Sequence, residues 1–339
     1  MFYVPRNTTG EYLRLDTTVT TWVTVSTPQD ESDWLNFLQT TKKAYIITRI
    51  LECVFTLMGL AGNVVVLWLL GFHIRKNAFS IYILNLAGAD FVFLFIWMTL
   101  SITSFFIGLE FSNKYTLLFI HINVFPYVAG LSIITAISTE RCLSVLKPIW
   151  YYSHRPKYLS AVVCALLWVL SLLLSILNMT FCDYPSGMYD DYLCELTYLS
   201  IATWLVFCSV LLFGSSLALL TRLLCGSQKR KLTRLYATIG LTVLVFLLCG
   251  LPWGIHWFLI SSITMWNGIH SFRFWLATEV LSCVNSCANP IIYFCVGSFR
   301  KHKKQQRRSL KIILQRALQD IPEENGSEGR PPQETLEMS

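Results

Sequence analysis

A chain of 339 residues that is 54% hydrophobic and only 14% charged, with a mean hydropathy of +0.52, does not read as a soluble domain, in which about a quarter of residues carry charge. The formal charge of +7 comes with no zinc-ligand spacing and no recognition motif, so nucleic-acid binding is not expected. The apolar residues gather instead into windows of about 20 or more, each long enough to cross about 30 Å of hydrocarbon.

Residues 1–43 form a polar arm, expected on the extracellular side. The arm lacks the apolar core of a signal peptide, which leaves the first helix to act as an uncleaved signal anchor. Asn7, in "NTT", is the glycosylation acceptor expected there. Asn178, in "NMT", lies too close to the membrane, and Asn325, in "NGS", falls on the cytosolic side of this topology. Seven apolar windows follow, at 44–71, 78–107, 115–146, 159–181, 197–224, 234–263 and 272–296. Backbone in hydrocarbon must satisfy its own hydrogen bonds, so each window is predicted to be a helix, and short connectors make neighbours antiparallel. The expected fold class is an all-α membrane protein, a seven-transmembrane helix bundle over 44–297. In "SLKIILQRALQD", Leu310, Ile313, Leu314, Ala317 and Leu318 form one apolar stripe, which predicts an amphipathic helix on the inner leaflet within 298–319. Residues 320–339 are polar and Pro-rich, and are expected to be a disordered cytosolic tail.

Orientation follows from the basic residues. The first, third and fifth connectors hold Arg75, Lys76, Lys147, Arg155, Lys157, Lys229, Arg230, Lys231 and Arg234, and the tail adds "FRKHKKQQRR". The C-terminus is therefore expected in the cytosol of a multi-pass plasma-membrane protein with an extracellular N-terminus. Lys42 and Lys43, before the first helix, nearly balance Arg75 and Lys76, so the later loops decide it. Anionic lipid heads are the partners this charge implies.

Most of the eleven cysteines lie inside windows, where Cys behaves as a small hydrophobe. Cys182 and Cys194 instead flank an outer connector, "FCDYPSGMYDDYLCE", in the compartment where disulfides persist. A bridge there would pin the outer end of the fourth window to the fifth. No CxxC or HExxH spacing points to a metal.

Polar residues inside hydrocarbon are expensive and mark function by default. They are Asn63 in "GLAGN", Asp90 in "NLAGAD", Asn285 and Asn289 in "NSCANPIIY", and Glu140 with Arg141 in "STERCLSV". Arg49 and Glu52, near an outer end, read as a snorkelling pair. Asp90 needs a partner or a wet cavity, and Pro290 frees a carbonyl one turn earlier in its helix.

These residues resemble a known family. "GN" in the first window, "NLAGAD" in the second, "ER" after the third, Trp168 in the fourth, Pro252 in the sixth and "NPIIY" with Tyr293 in the seventh look like a rhodopsin-class G-protein-coupled receptor. More closely, "STERCLSVLKPIWY", "LTRLYATIGLTVLVFLLCGLPWGIHWFL" and "NSCANPIIYFCVGSFR" are similar to the Mas-related receptors of itch and pain neurons and mast cells, near their A, B and X groups. The resemblance implies an extracellular ligand and a heterotrimeric G protein, of the Gq type first and Gi second. It also implies activation through Glu140, Arg141, Asp90, Asn285, Asn289, Pro290, Tyr293 and Pro252. In the resting state Arg141 is expected to pair with the adjacent Glu140.

Departures from the wider class matter as much. Cys142 follows Arg141 where Tyr is common, and Leu232 and Thr233 stand where a second acidic lock often sits, so a loose resting state with basal activity is expected. No Cys stands near Thr116, at the outer end of the third window, and the Cys182–Cys194 bridge looks like the replacement. Cys249, Gly250, Leu251, Pro252 replaces "CWxP", so the large aromatic switch is missing. Gly130 stands where a Ser commonly helps to hold sodium, which weakens the case for sodium beside Asp90. No other cofactor is expected.

For the ligand, Asn123 replaces the Asp of amine receptors, and Asn178 and Tyr198 occupy positions where X-type relatives use acids for cationic peptides. All three are kept as contact candidates. Asp183, Asp190, Asp191 and Glu195 make the second outer loop negative. Glu279 is expected to face a wet cavity beside Trp253 and Trp257, which stack at i and i+4. The expected ligand is a cationic peptide or amphiphile, recognised by charge and cation–π contact. A transporter or channel is the competing reading, but it would need more buried charge and paired broken helices. No enzymatic activity is expected: "GSS" at Gly214–Ser216 has no evident His partner and reads as small-residue packing.

Overall fold

The computed structural model describes residues 31–74, 77–107, 109–156, 158–182, 191–225, 234–260 and 268–298, with Leu310 and Leu314. Among these residues the structure is helical, with no strand. We label the helices α1 (Glu31–Trp68), α2 (Ala78–Ile107), α3 (Leu109–Leu146), α4 (Pro148–His154), α5 (Leu159–Cys182), α6 (Asp191–Cys225), α7 (Arg234–Val245), α8 (Leu251–Gly254) and α9 (Gly268–Ser298). π-helical segments cover Leu69–His73, Phe246–Gly250 and Ile255–Ile260.

Several helices outrun their apolar windows. α1 begins at Glu31 rather than 44, α3 at Leu109 rather than 115, and α6 at Asp191 rather than 197. The windows mark where side chains meet lipid, whereas the backbone ladder continues into water. The sixth window is not one regular helix but α7, α8 and two π segments around Pro252, whose ring removes a donor and crowds the preceding turn. The third connector contains α4, opened by Pro148 in its first turn.

Among the described residues, six runs are long and apolar enough to cross a membrane: Lys43–His73, Ala78–Thr103, Leu118–Leu146, Leu159–Cys182, Tyr192–Thr221 and Thr238–Phe258. α9 is the polar one, carrying Glu279, Ser282, Asn285, Ser286 and Asn289 on buried faces. It is also roughly 46 Å long at 1.5 Å per residue, enough to span. The third span is 72% buried and the fifth only 22%, so α3 is the central post and α6 faces lipid. α5 shows the lipid side directly, since Val162, Leu166, Val169, Leu173 and Ile176 are exposed at helical spacing.

α9 packs chiefly on α1, and α3 on α2, α5 and α6. Gly59 makes the first contact close: a Cβ there would lie 3.1 Å from the Cα of Cys287. α2 starts on a reciprocal cap, in which Ser80 N–H donates to Asn77 Oδ1 at 2.7 Å and Asn77 N–H to Ser80 Oγ at 2.7 Å. The cap fixes Phe79 and Tyr82 against the end of α3. Leu310 and Leu314 are helical, and Leu314 is fully buried in the core. The rest of the predicted surface helix, Asn7, Asp183, Asp190, Leu232 and Thr233 lie outside the described residues.

Candidate functional site

At one end, Glu140 and Arg141 each take partners on other elements. Glu140 accepts from Tyr82 Oη at 2.7 Å, Tyr151 Oη at 3.1 Å and Arg155 Nη2 at 2.9 Å. Arg155 also reaches Ser160, at the start of α5. The guanidinium of Arg141 lies over the Phe79 ring, 4.6 Å from its centroid. Glu140 also takes an ion pair with Arg155, because α4 carries Tyr151 and then Arg155 back beneath α3. Burial, and then the charge of Glu140, push the Tyr151 phenol above its ordinary range, which keeps it a donor to that carboxylate.

In the middle, Asn289 Nδ2 donates to Asp90 Oδ2 at 2.7 Å, joining α9 to α2. Asn63 Nδ2 donates to the Gly59 carbonyl at 2.9 Å and to the Ser286 carbonyl at 3.0 Å. Pro290 has no N–H for that carbonyl, four residues earlier, so Asn63 supplies the missing donor across helices. Asn285 is buried beside Gly250, where a Cβ would meet Phe246 at 2.8 Å and Asn285 Cγ at 3.1 Å. Tyr127 Oη donates to the Gly250 carbonyl at 3.3 Å. The space left by the missing aromatic switch is therefore filled by neighbours. Tyr293 is buried and lines a small cavity with Phe79, Ile137 and Thr242.

At the other end the ligand candidates separate into three places. Trp253 is buried among Tyr127 at 4.7 Å, Phe93 at 6.2 Å and Phe258 at 6.3 Å between centroids. Those rings, not Trp257, are its partners. The i, i+4 stack assumed α-helical register, but the π segment from Ile255 turns Trp257 away from it. Tyr198 is half-buried against Phe258 at 6.1 Å. Asn178 Nδ2 lies 2.8 Å from His121 Nδ1, both buried. Asn123 is also buried, and its amide has no hydrogen-bond partner on either side-chain atom.

Glu279 does not face an open cavity. It is fully buried, and its Oε2 accepts from Arg49 Nη2 at 3.3 Å while Arg49 Nη1 donates to Glu52 Oε2 at 2.6 Å. The pair read as snorkelling is turned inward, because a carboxylate buried on α9 draws the nearest guanidinium. The Cys182–Cys194 disulfide ties α5 to α6, with Cα atoms 5.0 Å apart.

Residues 62–293 match the family described as 7 transmembrane receptor (rhodopsin family). The chain is 50% identical over 328 residues to "Mas-related G-protein coupled receptor member X2" of Homo sapiens, covering 96% of this chain and 98% of that one. It is 51% identical over 335 residues to the X2 member of Macaca mulatta, with the same coverage. The chain belongs to the Mas-related G-protein-coupled receptors. It is also 54% identical over 282 residues to member A of Rattus norvegicus, covering 82% of this chain and 91% of that one. As a Mas-related receptor it is a multi-pass protein of the cell surface, with seven helices where six were apolar enough to be recognised by composition. The family is one of receptors and is not a class of enzymes.

Sequence reasoning about this Mas-related receptor missed His121, Arg155 and the reach of Arg49. His121 carried a usable signal, as "HIN" places two polar side chains in one apolar window. Arg155 carried none, because only the fold of α4 brings it to Glu140.

Proposed function

We propose that this receptor senses a basic, amphipathic extracellular ligand and activates a heterotrimeric G protein, of the Gq type first and Gi second, in sensory neurons or mast cells. The N-terminus is extracellular and the C-terminus cytosolic. The observation that carries the coupling half is the division of labour at the end of α3: Glu140 is engaged by Tyr82, Tyr151 and Arg155, so its pull on Arg141 is shared. The guanidinium of Arg141, over the Phe79 ring, is the group that meets the terminus of a G-protein α-subunit in the active state. The ligand half is supported by charge. Two buried carboxylates against one guanidinium sit where α1 meets α9, and Glu195 is exposed on the outer turn of α6.

Nucleotide exchange on a purified Gq-type heterotrimer, with the receptor in lipid discs, tests both halves. Basic amphipathic peptides should drive exchange, and their acidic counterparts should not. A best agonist that is anionic, or agonist-dependent ion flux in place of exchange, would overturn the reading.

A further inference from the structure

We propose that Ser138 of α3 is a two-position latch for α6, bonded to Ser215 in one setting and to Ser216 in the other, and that its setting governs how readily Arg141 engages the G protein. The proposal deepens the coupling half of the reading above and rests on it.

Three hydroxyls meet where α3 packs on α6. Ser138 is buried, and its Oγ lies 2.7 Å from Ser215 Oγ and 3.2 Å from Ser216 Oγ. Ser215 Oγ also donates to the Leu212 carbonyl of its own helix at 3.1 Å, so toward Ser138 it is an acceptor. The shorter bond is therefore donated by Ser138 to Ser215, which leaves Ser138 Oγ to accept from Ser216. When the Ser138 hydroxyl turns to Ser216 instead, Ser215 keeps its bond to Leu212, and Ser216 can donate to a carbonyl of its own preceding turn. Each setting satisfies its hydroxyls. In the present one Ser216 already lies within bonding distance, so the exchange needs little movement. A contact built only for close packing would do as well with alanine; hydroxyls at all three positions serve bonding.

The rest of this seam has no second partner to offer. Trp204 Nε1 donates to Ser132 Oγ at 2.9 Å, and Thr135 Oγ1 reaches the Cys208 carbonyl at 3.4 Å. These bonds hold the first half of α6 on α3 and leave the choice to the second half. Lipid does not oppose a small turn there: Phe213, Leu217 and Leu220 are exposed, and a Cβ on Gly214 would meet nothing within 4 Å. Leu212 and Leu219, both buried one turn to either side of the serines, keep α6 seated in either setting. Two close-lying arrangements of one packed seam make a switch rather than a graded spring. Arg141 follows Ser138 by three residues, so the two lie one turn apart on the same side of α3, and a change of setting reaches the guanidinium directly.

The test uses the full-length receptor in lipid discs, read by melting temperature and by ligand-independent nucleotide exchange on a purified Gq-type heterotrimer. In the melts, Ser215→Ala and Ser216→Ala should each cost little, because the remaining serine takes over. The double variant should lose more than the two single losses combined, and about as much as Ser138→Ala. In the exchange assay, Ser215→Ala holds the latch on Ser216 and Ser216→Ala holds it on Ser215. Their basal rates should move in opposite directions by about threefold each, the scale of one hydrogen bond between membrane helices. Adding Ser138→Ala to either should erase the difference between them. Strictly additive melting losses would overturn the latch. So would basal rates that shift together, or not at all, in a receptor that catalyses exchange. If the melts show the redundancy but the wild type catalyses no exchange even with basic peptides, the two-position contact stands and the coupling reading above falls.

Discussion

Asn63 donates its side-chain amide to the main-chain carbonyl of Ser286 at 3.0 Å, and that carbonyl is the one Pro290 leaves without a helical donor. An apolar helix can carry an internal proline only if another element satisfies the freed group. Asn63→Ala should therefore cost about 1–3 kcal/mol, the scale of a buried unsatisfied carbonyl. Pro290→Ala restores the N–H, so Asn63→Ala should cost less in that background. Thermal melts of the two single variants and the double variant measure the coupling, and strict additivity would show that the bond does not replace the missing donor.

Gly250 admits Phe246 and Asn285 to the space of its absent side chain. Gly250→Ala should destabilise by about 1–3 kcal/mol through overpacking. Phe246→Leu, which shortens the nearer neighbour, should recover part of that loss in the double variant. A Gly250→Ala receptor that melts with the wild type would mean that the sixth-helix region yields freely at its π segment.

The disulfide joins Cys182, at the end of α5, to Cys194, in the first turn of α6. A closed loop of about this size constrains the unfolded chain by roughly 3 kcal/mol. Cys182→Ser and Cys194→Ser should each lower the melting temperature and agonist response, and the double variant should be no worse than either. Additive losses would indicate two independent thiols.

Arg155 holds Glu140 at 2.9 Å from the far side of α4. With Arg155→Met, the nearest guanidinium along the chain is Arg141, so the pull of Glu140 should fall on Arg141 undivided and ligand-independent nucleotide exchange should fall several-fold. Glu140→Gln in the same background should raise it again. A rise in basal exchange in Arg155→Met alone would mean that the Arg155 pair, not the Arg141 pair, is the resting lock.

Much of the bundle was legible because lipid enforces a simple rule: apolar windows of sufficient length must be helices. Asn63, Asp90 and Asn289 stood out for the same reason, as polar groups in a solvent that penalises them, and the structure brings them to partners on other helices. What the sequence could not show was which partner each charge takes. Glu279 and Arg49 are separated by 230 positions, and no local pattern joins them. Nor could hydropathy reveal the π segments beside Pro252, which leave the apolar content unchanged while rotating Trp257 out of register with Trp253.

Agonist-driven nucleotide exchange by Arg141→Ala, at surface expression matched to the wild type, is the most direct measurement. Arg141 lies in the last two turns of the central helix α3, and its guanidinium lies over Phe79 while Glu140 is shared with Arg155. If its guanidinium is the group that meets the G protein, exchange should fall to the level of G protein without receptor, while a basic agonist should bind the variant undiminished. Undiminished exchange at matched expression would contradict a gate at Arg141.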